Sequence, residues 1–143
     1  MPSQLKLFSQ SLSKKPYCSD NLEHGLIVRS LKNALEKRYI QQNQPNSKLW
    51  LVYDIDRPTS PDELTDDLNL PAPHIFVQNP KNQHAHAFYG LQVPIHFNES
   101  SSKAAIRFAG ALDAGLTVKI DADASYSGLI CKNPLNSHCF LAL

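Results

Sequence analysis

At 143 residues, 42% of them hydrophobic, the chain can bury one core but is too short for two comfortable domains. A net charge of +1 excludes a histone-like electrostatic footprint, so any nucleic-acid contact must come from local clusters of Lys and Arg. No apolar run approaches the roughly 18 residues of a membrane helix, and the start Met1-Pro2-Ser3-Gln4-Leu5-Lys6 has no secretion-signal core, so no membrane partner is expected.

Three cysteines, Cys18, Cys131 and Cys139, show no paired short spacing, and the expected compartment is a reducing cytoplasm. Residues 1–18, rich in Ser, Lys and Gln, read as an N-terminal arm that docks or frays, and residues 19–143 as one folded domain. Asp20 and Glu23 have the spacing of a capping box. Leu22, Leu26, Ile27, Leu31, Ala34 and Leu35 follow at helical spacing, which predicts a helix from Asp20 to Gln41 packed on a sheet through Leu22, Ile27, Leu31 and Leu35. Pro45 and its Asn neighbours then favour a turn.

Leu49-Trp50-Leu51-Val52-Tyr53 is aromatic and β-branched and reads as a buried strand, with Asp54 and Asp56 at its carboxyl end. Thr59 to Pro73, rich in proline and acidic residues, reads as a surface excursion with one helical turn around Glu63 to Leu68. His74–Gln78 and Ala85–Leu91 read as two strands of a hairpin around Asn79-Pro80-Lys81-Asn82. Ser100–Ser102 cap a predicted second helix that stops at Gly115, with Lys103 and Arg107 on one side, and Leu116–Ile120 alternates like a strand. The fold class expected is α+β, a mixed or antiparallel sheet with packed helices.

Asp54 and Asp56, two apart on an extended segment, project to one face, where their carboxylates can share divalent ions for phosphoryl chemistry. On the D-x-D pattern alone, a solvated pair of aspartates is the commoner reading. His84 and His86 alternate in the same way and match the His-hydrophobic-His motif of rolling-circle nickases, for which Tyr89 or Tyr126 would be the nucleophile. Lys132, between Cys131 and Asn133-Pro134, stands where an ammonium could meet a phosphate.

Four segments occur in an order that resembles the replicase family of theta-type plasmid initiators, whose catalytic domain belongs to the archaeo-eukaryotic primase superfamily. They are Leu51-Val52-Tyr53-Asp54-Ile55-Asp56-Arg57, Leu70-Pro71-Ala72-Pro73-His74, Asn79 through Tyr89, and Ala122 through Pro134. The resemblance implies a primase-like catalytic domain with an RRM-like core. It implies a plasmid DNA replication initiator that makes a primer at the origin on a single-stranded DNA template from nucleoside triphosphates, with a host DNA polymerase as a further partner. It assigns Asp54, Asp56 and Asp123 to Mg²⁺ or Mn²⁺, with Asp121 as the alternative third carboxylate. His86 falls on the incoming triphosphate, with His84 in reserve and Lys132 as a nucleotide contact. Two departures stand out. Gln83 replaces a Gly common before the first His, and the family continues past Asn133-Pro134 through a Trp into more catalytic domain and an origin-binding domain, so the resemblance implies a domain incomplete at its C-terminus. A nickase and a truncated, non-catalytic DNA- or partner-binding domain are the alternative functions.

Overall fold

The computed structural model describes residues 2–143. In chain order the elements are α1 (Ser3–Ser11), β1 (Tyr17–Ser19), a 3-10 turn (Leu22–His24), β2 (Ile27–Val28), α2 (Leu31–Ala34), β3 (Tyr39–Ile40), β4 (Ser47–Ile55), a π turn (Glu63–Asp67), β5 (Ile75–Gln78), β6 (Ala85–His96), α3 (Lys103–Ile120), β7 (Cys131–Lys132) and β8 (Leu141–Ala142). The fold is α+β, with two antiparallel four-stranded sheets in the orders β2-β1-β3-β7 and β4-β6-β5-β8.

The β4 strand and the β5–β6 hairpin form as their alternation predicts, and the larger sheet is buried on both faces. On one face Trp50, Val52, Phe88, Ile75 and Val77 pack against Phe8 of α1 and against Cys18, Ile40 and Cys131 of the smaller sheet. On the other, Leu51, Tyr53, Ile55, Phe76, Ala85, Ala87 and Tyr89 pack against Leu64 and against Ile120 at the end of α3. A fully buried Phe contributes roughly 1.5–3 kcal/mol, and Phe8 lies 5.7 Å, ring to ring, from both Trp50 and Phe88. The first residues therefore dock as a helix, not as a frayed arm.

The helix expected from Asp20 to Gln41 does not form. Gly25 takes a φ of 82°, outside helical geometry, and the segment breaks into two short strands around the four-residue α2. Its apolar residues are used differently, because β3 pairs with β1 on one side and with β7, some ninety residues later, on the other. Ile27, Leu31 and Leu35 still pack on the core, whereas Leu22 is exposed. The capping box is also absent. Asn21, not Asp20, accepts from Glu23 N, and Asp20 instead pairs with Lys37 at 3.1 Å.

The strand expected at Leu116–Ile120 is the last turn and a half of α3, which runs through Gly115 and ends at Asp121 in a left-handed cap (φ 58°). A Cβ at Gly115 would meet nothing within 4 Å, so this glycine costs helix propensity, about 1 kcal/mol, without breaking the helix. Among the described residues, no helix is long and apolar enough to cross a membrane.

Candidate active site

Asp54 and His86 are cross-strand neighbours in the β4–β6 ladder. The carbonyl of Asp54 accepts from Asp123 N, outside the sheet, and that of Phe88 accepts from His74 N, away from β4. Hence Asp54 and His86 form a non-hydrogen-bonded pair, the arrangement that brings facing side chains closest. Their side chains continue the row of Trp50, Val52 and Phe88 to the sheet's end, where apolar packing gives way to polar groups.

Asp56 follows β4 and is exposed, and Asp123 is brought to it by a latch on the C-terminus of α3. Arg57 donates to the carbonyls of Ile120 at 2.8 Å and Asp121 at 3.0 Å, and pairs with Glu63 at 2.7 Å. Asp123 N then donates to Asp54 O at 2.8 Å, and Ser125 N and Oγ donate to Asp123 Oδ1 at 2.8 and 2.6 Å. Carboxylate oxygens of Asp54, Asp56 and Asp123 all lie within 4.8 Å of one another. Of the two candidates Asp123 joins the cluster, while Asp121 caps α3 through its backbone N–H.

His86 is held as one tautomer. The backbone N–H of Lys132 donates to its Nδ1 at 3.0 Å, which leaves the ring proton on Nε2, 3.3 Å from Asp54 Oδ1. Burial brings the pKa of His86 down to about 4 against the pull of Asp54, with the Lys132 charge acting alongside burial. The ring lies 5.2 Å from that of Tyr126.

Lys132 Nζ stands 3.9 Å from Asp54 Oδ1, its pKa lowered by burial against the pull of Asp54 and Asp56. Burial works to raise Asp54, but His86 and Lys132 outweigh it and hold this carboxyl below its usual range. Asp56 is raised, by desolvation and by the neighbouring charges of Asp54 and Asp123. The two carboxyls are thus driven apart, as in other sites where like charges crowd. Asp54 Oδ1 is buried yet has no well-aligned hydrogen bond, so it keeps a lone pair for a further ligand. Buried oxygen acceptors of this kind suit a hard divalent ion such as Mg²⁺ or Mn²⁺.

The other predicted residues fall around this centre. His84 sits at the rim, its Nδ1 4.0 Å from Asp56 Oδ1. Tyr126 donates its hydroxyl to Ile130 O, and Tyr89, on the opposite face of the sheet, donates to Pro71 O at 2.8 Å. Lys103 begins α3 while the cluster lies at its end, about 25 Å along the axis, so Lys103 and Arg107 are not part of the centre.

A cavity of about 390 Å³ opens beside Asp54 and Asp123 along the outer edge of β4, with Gln42, Val52 and Tyr53 among its walls. The roles of Arg57 as latch and Gln42 as cavity wall were not read from the sequence. The only local hint was the position of Arg57 directly after Asp56.

Comparison with protein-family models matches the Replicase family over residues 11–141. No curated protein and no solved structure matches the chain.

Proposed function

The chain belongs to the Replicase family and so has a role in replication, and on that premise we propose that it is a primase-type nucleotidyl transferase acting in plasmid DNA replication. The observation that carries this reading is the convergence of Asp54, Asp56 and Asp123 beside a neutral His86 and the Lys132 ammonium. The reaction is attack of a primer 3′-hydroxyl on the α-phosphate of a nucleoside triphosphate. The new P–O bond forms as the bond to the leaving pyrophosphate breaks.

Asp54, Asp56 and Asp123 would hold Mg²⁺ or Mn²⁺, which when bound supplies charge stabilisation to the attacking and leaving oxygens. Nε2–H of His86 is a single fixed donor that does not change charge near neutral pH, suited to an anionic phosphate oxygen. Lys132 adds a point charge on the same side. In this reading the larger sheet with its flanking helices is the RRM-like core of a primase-like domain, DNA is the template and the product stays base-paired to it.

A nickase built on His84, His86 and a tyrosine is less well supported. Both candidate hydroxyls are engaged with backbone carbonyls, Tyr89 faces away from the carboxylates, and His86 Nδ1 is already an acceptor.

The test is incorporation of labelled nucleotides on a primed single-stranded template with Mn²⁺ or Mg²⁺, for the natural chain and for Asp54→Asn/Asp56→Asn. Extension by the natural chain and none by the variant is expected. Equal extension by both, or a covalent 5′-phosphotyrosyl adduct on a denaturing gel, would overturn the reading.

A further inference from the structure

Charge is unevenly placed along this chain. Residues 1–48 carry eight Lys and Arg against three acids, and residues 49–143 carry six against ten, so the net +1 hides a basic region and an acidic one. The basic region builds β1, β2 and β3, three of the four strands of the smaller sheet, and the acidic one holds the carboxylate centre.

Four of the cations converge at one end of the β1–β2 hairpin. The two strands pair antiparallel with Tyr17 opposite Val28 and Cys18 opposite Ile27. Leu31 N donates to Lys14 O at 2.8 Å, which carries the same register three residues further. Lys14 therefore faces Leu31, Lys15 faces Ser30 and Pro16 faces Arg29, with Lys32 next along the chain. Lys14, Lys15, Arg29 and Lys32 are all exposed, and none of them forms an ion pair with an acid among the described residues. Asp20 and Glu23 sit at the opposite, turn end of the hairpin, where Lys37 takes Asp20 at 3.1 Å, and Glu36 lies beyond α2. Four like charges without a counter-charge make a local positive potential that a polyanion relieves.

The surface beside them is aromatic. The smaller sheet turns Cys18, Ile40 and Cys131 to the core, while Tyr17 and Val28, a facing pair, stand 43% and 46% exposed. Lys15 is two residues from Tyr17, so by strand alternation the two project to the same side. Phosphates on clustered cations and a base on an exposed ring are how single strands are held. A duplex offers the same phosphates but keeps its base faces stacked.

The patch also leads to the carboxylate centre. Ser19 of β1, Tyr39 of β3 and Lys132 of β7 lie in one row across the smaller sheet. Lys15 is four residues along β1 from that row, so two strand spacings across and four residues along separate it from Lys132 by roughly 16 Å. That is on the order of five phosphates of a stacked strand. We propose that Lys14, Lys15, Arg29 and Lys32, with Tyr17, form a landing surface for single-stranded DNA, which runs from them across the smaller sheet to Lys132. The partner follows from the chain's role in replication; only the name template for that strand rests on the primase reading.

The experiment follows binding of the intact chain to a fluorescent oligothymidylate of about 16 nucleotides, by anisotropy over a salt series with EDTA present, so that the carboxylates hold no metal. The logarithm of affinity should fall against the logarithm of salt with a slope of about −3, for four phosphates at about −0.7 each. Lys14→Gln/Lys15→Gln/Arg29→Gln/Lys32→Gln should lose nearly all of that slope. Lys14→Arg/Lys15→Arg/Lys32→Arg should keep it, as should Lys103→Gln/Arg107→Gln, which removes charge from α3 instead. Tyr17→Leu should weaken oligothymidylate binding about fivefold or more at unchanged slope, through loss of one stacked base, and should leave duplex binding as it was.

An unchanged slope in the four-Gln variant, or an equal loss in Lys103→Gln/Arg107→Gln, would overturn the surface. Tighter binding to phosphatidylserine vesicles than to the oligonucleotide, or an equal loss of duplex binding in Tyr17→Leu, would overturn its assignment to single strands. Oligonucleotide binding that disappears with the four cations, in a chain that incorporates no nucleotide, would support this inference and sink the primase reading. Incorporation by the four-Gln variant at the natural chain's KM for template would overturn this inference and leave the primase reading standing.

Discussion

The two ends of one sheet face are built from the same rows and do opposite work. At one end Trp50 and Phe88 meet Phe8 in an aromatic cluster sealed from water, and at the other Asp54 and His86, next in the same rows, meet Lys132 and two more carboxylates. Asp54 and His86 sit on strands, and Asp56 and Asp123 follow on β4 and α3. The polar end inherits its geometry from the packed end, since a cross-strand pair two residues from a close-packed core has little freedom left. The contrast teaches that in this fold a site is a place where the core's periodicity continues after its hydrophobicity stops.

The comparison breaks most sharply on single substitutions that affect one end only. Asp56→Asn should reduce nucleotide incorporation to background while shifting stability by no more than about 0.5 kcal/mol, the usual range for an exposed position. Parallel incorporation and urea-unfolding measurements check both halves. Phe8→Ala should do the reverse at the packed end, costing about 3–5 kcal/mol of stability through lost burial and a residual cavity. At temperatures where the variant is folded, its metal affinity should stay near that of the natural chain.

Acid tests the polar end next. His86 has a folded pKa of about 4 against 6.5 for the free side chain, so the unfolded chain takes up the proton first as pH falls. The stability it contributes is complete above pH 6.5 and is lost on the way down to pH 4, up to about 3 kcal/mol. His86→Gln should flatten that stretch of the stability–pH curve. The smallest effect expected is on the metal. Because desolvation and its acidic neighbours raise Asp56, a proton competes with the cation above the ordinary carboxylate range. Mn²⁺ affinity, followed by its relaxation signal, should therefore fall as pH drops through that region, and Asp56→Asn should remove this step.

Strand alternation made much of this centre legible in the sequence. Leu49–Tyr53 and Ala85–Leu91 have the β-branched, aromatic, period-two character of paired strands, and that pattern alone brings Asp54 and His86 to one face. Asp123 was harder to fix, because its place depends on Arg57 tying down the end of α3 across more than sixty residues. The segment from Asp20 to Gln41 misled for a related reason. Its apolar residues fit a helical period, yet β3 is pinned between β1 and β7, and Asn133 donates to the carbonyls of Leu35 and Lys37. Periodicity reports local geometry and is silent on partners a hundred residues away. Gln42 carried no signal at all, being one amide in a polar run.

The amide of Asn43 has a consequence for how this protein behaves in a crowd of its own kind. β4 is a border of the larger sheet, and a long bare border invites another chain to add itself as the next strand, the first step to aggregates and swapped dimers. Here Asn43 occupies the border at Trp50 and Asp123 occupies it at Asp54, so the vacancy between them is a single residue wide. A strand needs several consecutive residues to gain a foothold, and this border does not offer them. The same two contacts that hold Asn43 and Asp123 in place thus guard the sheet against other polypeptides.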